Sequence, residues 1–218
     1  MILKQVQDMI QGDNKRLFTK ASILIERLSK IMGIAYVYEL VASPFGDVGL
    51  VWRQKNLSPC VVRIFLPRKN IDMVHVINQA FPDGGVRRSH STIEKICRQI
   101  EEFMRGNPVD FSLEHLDMSS CSTFQQKVLL ENKKIPRGRV SSYGKLAGTI
   151  LVPGGARAAG SALAGNPFPI IIPCHRVIRS SGELGGFGGG LNMKRTFLEM
   201  EGIVFDSRGK VHKEYFRE

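Results

Sequence analysis

Cys174 and His175 stand side by side in the segment Pro173-Cys174-His175-Arg176-Val177, and together they could run nucleophilic chemistry. A thiol attacks as its thiolate, and a free cysteine titrates near pH ~8.5, so its pKa must fall for much thiolate to exist at neutral pH. A histidine can supply the push, directly or through a water, when a third group orients its ring. Side chains of sequence neighbours usually diverge, so His175 is expected to reach Cys174 through a water. The orienting acid is expected at Glu201, at the end of an amphipathic helix over 192–201. A Cys-His pair taken alone equally fits a buried, inert cysteine beside a solvated histidine.

The surrounding residues must position this pair. Asn166-Pro167-Phe168-Pro169-Ile170-Ile171-Ile172 reads as a buried strand leading into it, and the glycine-lined loop 180–190 follows, so a rigid approach meets a small-residue wall. Upstream, Ser122 or Thr123 resembles an N-cap opening a helix to about residue 131, followed by a basic turn over 133–138. Residues 142–147 predict a helix, Val152-Pro153-Gly154-Gly155 a tight turn, and 156–164 a second helix of very small residues, which is the helix-turn-helix plan. Many helical hairpins never touch DNA. The second helix carries Arg157 and Ser161 among alanines, leucine and glycines, so it can approach a groove closely yet offers little to read base edges. By position alone, Arg157 reads as a solvated or phosphate-contacting side chain and Tyr143 as an amphipathic core residue.

The amino-terminal half has a different character. Its first thirty-odd residues read as an amphipathic helix carrying Ile10, Leu17, Ile23, Leu24, Ile25 and Leu28 among basic residues, better suited to packing than to lying on a membrane. Three alternating stretches, 35–42, 47–53 and 60–66, predict an antiparallel sheet. Helical spacing follows over 71–80 and 91–105, and a polar passage at 106–110 begins a linker.

Composition bounds the partners. The chain has 218 residues, so one large or two small domains are expected, and a formal net charge of +11. Residues 118–218 hold 15 Lys+Arg against 7 Asp+Glu, and residues 1–117 hold 16 against 13, so the basic excess lies in the half with the Cys-His pair. That points to a polyanion partner, nucleic acid first, although composition alone favours a merely solvated basic surface. Cys60, Cys97, Cys121 and Cys174 form no CxxC or Cys/His cluster, so no metal site is expected. No signal peptide or membrane-length apolar run is legible, so a cytoplasmic location is expected, nuclear if the source is eukaryotic. The run Gly185 to Gly190 lacks a G-x-x-x-x-G-K-[ST] pattern and is not read as a phosphate loop.

Pro173 to Val177, with Gly165-Asn166-Pro167 upstream and Gly189-Gly190-Leu191 and Lys194 downstream, resembles the signature of the O6-alkylguanine-DNA alkyltransferases. Thr123 to Val128, Pro136-Arg137-Gly138, Val140 to Tyr143 and Ala156 to Gly160 follow in that family's order, so the resemblance covers about residues 118–205. Ser43-Pro44-Phe45-Gly46 extends it loosely into the first half. The resemblance implies an α/β (α+β) fold: an N-terminal helical extension over 1–33, a ribonuclease H-like antiparallel sheet with helices over 34–110, a linker over 111–117, and a winged helix-turn-helix domain over 118–218. It also implies direct-reversal repair of double-stranded DNA, with one irreversible transfer of an alkyl group from O6-alkylguanine to Cys174, O4-alkylthymine being a second candidate substrate. No cofactor, no membrane, a monomer and binding without sequence preference go with it.

The resemblance assigns roles residue by residue. Cys174 is the acceptor, with His175 and Glu201 behind it. Tyr143 donates to the guanine ring, and Arg157 fills the stack after nucleotide flipping, on a DNA-binding helix with Ala156 and Ser161. Asn166 is the hinge, the carbonyls of Cys174 and Val177 accept the exocyclic amine, and Lys194 supports the loop or the base wall unless it is a solvated helix lysine. Gly188 departs from the pattern, standing where some relatives carry a serine that contacts the guanine oxygen. A non-catalytic alkylated-DNA-binding relative would lack the cysteine, and a helix-turn-helix regulator would need base-reading side chains on 156–164.

Overall fold

The computed structural model describes residues 36–55, 58–82 and 86–217. The amphipathic helix expected in the first thirty-odd residues lies outside them. Three strands, β1 (Val37–Val41), β2 (Val48–Lys55) and β3 (Ser58–Phe65), pair antiparallel as expected, and a short β4 (Val86–Arg87) that alternation did not reveal adds in parallel to β1. The sheet order is β3-β2-β1-β4.

Side chains of a strand alternate between faces, which divides the core. Val48, Leu50 and Trp52 of β2 enter the main core, whereas Val51 joins Tyr38 under helix α1 (Met73–Ala80), against Met73 and Ile77. With both faces covered, β2 reads as a nearly continuous apolar run. Helix α2 (Ser91–Met104) packs on β1 and β3 through Ile93, Ile96, Ile100, Phe103 and Met104, the i, i+3, i+7 stripe of an amphipathic helix.

The passage expected as a linker is fastened to the sheet. Val61 N–H donates to the His115 carbonyl at 2.7 Å and Asp117 N–H to the Val61 carbonyl at 2.8 Å, continuing the β3 edge. The Asp117 carboxylate accepts from Arg53 Nε at 3.0 Å and Lys55 Nζ at 2.8 Å, and it closes a 3-10 turn by accepting from Ser119 N–H.

In the second half, α3 (Thr123–Lys133) starts at the N-cap Ser122, whose Oγ accepts from Gln125 N–H. Helix α4 (Tyr143–Thr149) is capped likewise by Ser142, and α5 (Ala156–Ala164) follows a tight turn; α3, α4 and α5 pack on one another. Strands β5 (Ser141–Ser142) and β6 (Val177–Ile178) pair in parallel, and α6 (Leu191–Met200) follows. The core is continuous across both halves, joining Ile93, Ile100 and Phe103 to Val128, Leu129, Phe168, Ile172 and Phe197.

The expected strand at 166–172 is not a strand. Phe168 to Pro173 are buried in turns, and Ile170 takes φ 74°, a left-handed conformation that a β-branched side chain adopts only under constraint. Pro167, Pro169 and Pro173 remove ladder donors, so burial of this apolar run comes from tucking into the core and not from a sheet.

Candidate active site

Cys174 opens a single 3-10 turn, Cys174–Arg176, at the end of that tucked loop. The loop is pinned from two sides. Asn166 accepts from Phe168 N–H at 2.9 Å and donates from Nδ2 to the Ile172 carbonyl at 3.0 Å, so the end of α5 and the approach to Cys174 move as one piece. Asn132, fully buried on α3, donates to the Pro173 carbonyl at 3.2 Å. Gln125 Nε2 donates to the carbonyls of Ala162 and Gly165, tying the same C-terminal end of α5 to α3.

His175 is fully buried in a cage of rings, with centroids 5.8 Å from Phe103, 5.4 Å from Phe197 and 6.4 Å from Phe187. Its Nε2 lies 3.0 Å from Glu201 Oε1, and its Nδ1 has no hydrogen-bond partner among the described residues. Glu201, the C-cap of α6, also accepts from Arg176 Nε at 2.9 Å and Nη2 at 2.7 Å, while Arg176 Nη1 reaches the Ile135 carbonyl. Burial would raise the Glu201 carboxyl, but the bonds from His175 and Arg176 outweigh it and hold the group down at about 2. A carboxylate there fixes the proton on Nε2 and turns the Nδ1 lone pair into a base. Burial also lowers the pKa of His175, with Glu201 opposing, so the ring is neutral and able to accept.

Cys174 departs from the expectation of a resting thiolate. Burial pushes its thiol above the ordinary value, and the Asn166 amide and the Lys194 charge only partly offset this. No hydrogen bond joins its sulfur to His175. The site therefore holds a protonated thiol and a neutral imidazole at rest.

Lys194 is not a solvated helix lysine. It is fully buried, donates to the Val177 carbonyl at 2.7 Å and the Gly186 carbonyl at 3.3 Å, and its Nζ stands 5.9 Å from the Tyr143 ring centroid. Burial lowers its pKa to about 8. It thus clips the glycine loop to β6.

A cavity of about 560 Å³ opens in front of Cys174, bounded by Tyr143 of α4, Ala156, Arg157 and Gly160 of α5, and Gly185 to Gly188 of the loop. Tyr143 reaches it because Gly185, at φ 68°, has no side chain; a Cβ there would sit 2.8 Å from the Tyr143 hydroxyl. Burial, followed by the proximity of Cys174, raises the Tyr143 pKa, so this phenol is a hydrogen-bond donor at neutral pH. Arg157 is exposed at the cavity mouth, and Ser161 is exposed one turn along α5. Gly188 is exposed, with nothing within 4 Å of a Cβ built on it.

The structure thus brings Cys174, Tyr143, Ala156, Arg157 and Gly188 to one cavity, with His175, Glu201, Asn166 and Lys194 behind it, and leaves Ser161 outside the cavity wall. The Val177 carbonyl accepts from Lys194 and the Cys174 carbonyl from Val177 N–H, so each retains a second lone pair. The sequence reading missed Asn132, Arg176 and Phe103 as parts of the site. Asn132 had a signal: it falls four residues after Val128 on the buried side of α3. Phe103 had none, because it comes from α2 in the other half.

Residues 123–203 match the family described as 6-O-methylguanine DNA methyltransferase, DNA binding domain. The methylated-DNA–protein-cysteine methyltransferase of Methanothermobacter thermautotrophicus is 34% identical over 165 residues, 76% of this chain and 85% of that protein. The protein of that name from Mycobacterium leprae is 48% identical over 133 residues, 61% of this chain and 78% of that protein. The crystal structure of Mycobacterium tuberculosis OGT in complex with DNA superposes with a TM-score of 0.61 at 33% identity, covering 76% of this chain and 92% of that one.

Proposed function

The chain belongs to the methylated-DNA–protein-cysteine methyltransferase family, and on that premise we propose that it repairs DNA by moving the alkyl group of O6-alkylguanine irreversibly to Cys174. O4-alkylthymine is a further substrate in this reading. The protein acts alone, as a cytoplasmic or nuclear monomer without cofactor, in two units: a ribonuclease H-like sheet and helices over 34–110, and a winged helix-turn-helix over 118–218. The packing of α3, α4 and α5 beside the β5–β6 pair supports the second assignment. Among the described residues no helix is long and apolar enough to cross a membrane.

Duplex DNA lies on the α4–α5 unit through its minor groove. The outer face of α5 offers Arg157, Ala158 and Ser161, too few hydrogen-bonding groups to read a sequence, which supports binding in any context. The damaged nucleotide turns out of the stack at a cost of a few kcal/mol, and Arg157 fills its place. The guanine enters the cavity in front of Cys174, where its exocyclic amine donates to the free lone pairs of the Cys174 and Val177 carbonyls.

His175 Nδ1 takes the thiol proton through a water, with Glu201 holding the ring from behind. The sulfur pair then forms the S–C bond as the C–O6 bond breaks. That bonding pair passes into the purine, and Tyr143 donates to the ring so that neutral guanine departs. The product is a thioether with no easy leaving group, so one protein serves one lesion.

The observation that carries this reading is a single one: the Cys174 thiol lines a cavity shared by α5 and the glycine loop, backed by a neutral histidine whose Nε2 is tied to a buried carboxylate. Mixing with a duplex containing O6-methylguanine should add one methyl group per chain, mapped to Cys174 by peptide mass. Cys174→Ala should abolish transfer while keeping DNA affinity within a few-fold. A methyl group found on Cys60, Cys97 or Cys121 would overturn the assignment.

A further inference from the structure

Cys174 lines a second cavity. It measures about 210 Å³, lies between the reactive loop and the sheet, and is walled on the sheet side by Arg63, Phe65, Arg68 and Met73. It shares Leu163, Ala164, Cys174, Phe187 and Gly188 with the larger cavity, so only a thin partition separates the two. At Gly188 that partition has no side chain, and nothing lies within 4 Å of where a Cβ would stand. The wall is anchored: Ile64 N–H of β3 donates to the Pro167 carbonyl at 2.8 Å, which sets the residues flanking Ile64 beside the loop that presents the thiol.

The charge of this wall is one-sided. Among the described residues no Asp or Glu lines the cavity, and its charged groups are the two guanidiniums. Arg63 lies over the Phe65 ring at 5.3 Å, and Arg68 is exposed; neither side chain pairs with a carboxylate among the described residues. Space beside the sulfur is what an in-line displacement requires. Substituents on the reacting carbon splay sideways from the S–C–O axis, so an adduct larger than methyl needs room next to the thiol and off the plane of the base. An adduct whose reacting carbon bears a carboxylate has a second difficulty, since the incoming thiolate meets a like charge. Two cations on the wall of the cavity that the sulfur lines would attract such a carboxylate and offset that repulsion.

We propose that the cavity behind Gly188 receives the substituent of the adduct, and that Arg63 and Arg68 favour substituents ending in a carboxylate, of the O6-carboxymethylguanine kind. The proposal rests on the alkyl-transfer reading of Cys174. The sulfur bonds to the methylene carbon as its bond to O6 breaks, the thiol proton leaves through His175, guanine gains a proton, and Cys174 ends as S-carboxymethylcysteine.

Single-turnover rates on short duplexes test it, with O6-methyl-, O6-carboxymethyl- and the neutral isostere O6-carbamoylmethylguanine, for the wild type and Arg63→Gln/Arg68→Gln. Exposed ion pairs are worth little individually, so the double variant should slow carboxymethyl transfer by roughly 3- to 20-fold relative to carbamoylmethyl transfer. Methyl transfer should stay within about twofold, and the selectivity should shrink as salt rises. Equal slowing of all three adducts, with weaker duplex affinity, would mean that the arginines hold a DNA phosphate and would overturn the proposal. A carboxymethyl-to-carbamoylmethyl ratio that is the same in wild type and variant would also overturn it. Absence of methyl transfer by the wild type would sink the alkyl-transfer reading, and this proposal with it.

Discussion

Replacing His175 by phenylalanine isolates the base from the fold. The ring site is lined by Phe103, Phe187 and Phe197, so a phenyl group is suited to the space. Glu201 keeps its bonds to Arg176 at 2.7, 2.9 and 3.2 Å, and no buried charge is left alone. The loss is one hydrogen bond to a charged group, about 1.5–3 kcal/mol, or roughly 3–12 °C in Tm for a protein of this size. The chemical loss is larger. The thiol lies above its ordinary pKa because it is buried, so at pH 7.5 at most about a tenth is thiolate. Without Nδ1 the reaction depends on that fraction, and removing a general base costs roughly 10²- to 10⁴-fold. Single-turnover transfer at 25 °C should show a fall of that size at pH 7.5, with stoichiometry still one group per chain. The variant rate should then climb about tenfold per pH unit toward pH 9, while the wild-type rate, served by a histidine whose pKa lies below the usual value, stays flat from about pH 7. A variant within tenfold of wild type at pH 7.5, or two parallel pH profiles, would refute the role given to Nδ1.

If Arg157 holds the gap left by a flipped nucleotide, Arg157→Ala should slow repair of duplex DNA by about tenfold or more, yet leave reaction with free O6-benzylguanine within about twofold; equal losses would place Arg157 in pocket or fold maintenance. Gly188→Ser has room for its side chain and should preserve methyl transfer while slowing benzyl transfer, because the serine narrows the way past the partition; strong acceleration of both would refute the pocket geometry. The Glu201 carboxyl titrates near 2 in the folded protein against an ordinary value near ~4.5, a depressed pKa, so its stabilisation of about 3 kcal/mol is present above pH ~4.5 and is lost as pH falls toward 2. Urea midpoints of wild type and Glu201→Gln should therefore converge between pH ~4.5 and 2, and parallel curves would count against the buried carboxylate.

Much of this protein was legible in its sequence because the relevant signals are local. Of Ser122 and Thr123, both expected as candidate caps, Ser122 caps α3; the helix expected over 142–147 begins after Ser142, the small residues of 156–164 form a helix after a tight turn, and β1, β2 and β3 fall within two residues of the alternating stretches. Pro173-Cys174-His175 with Glu201 singled out the thiol that lines the cavity and the bonded His–Glu pair behind it, since residue type limits which groups can serve as nucleophile, base and orienting acid. Other features depended on residues distant in the chain. An apolar run reports burial but not the partner that buries it, so 166–172 read as a strand when it is a loop pinned by Asn166 and Asn132. For Lys194 the choice between supporting the loop or base wall and being solvated turns on the carbonyls of Val177 and Gly186 that folding brings around it. The protonated state of Cys174 and the depressed pKa of Glu201 follow from solvent exclusion and from charges brought near by folding, which linear spacing does not encode. Arg63 and Arg68 line one cavity with the thiol although about a hundred residues of chain lie between them, and the bond from Ile64 N–H to the Pro167 carbonyl ties the two segments together.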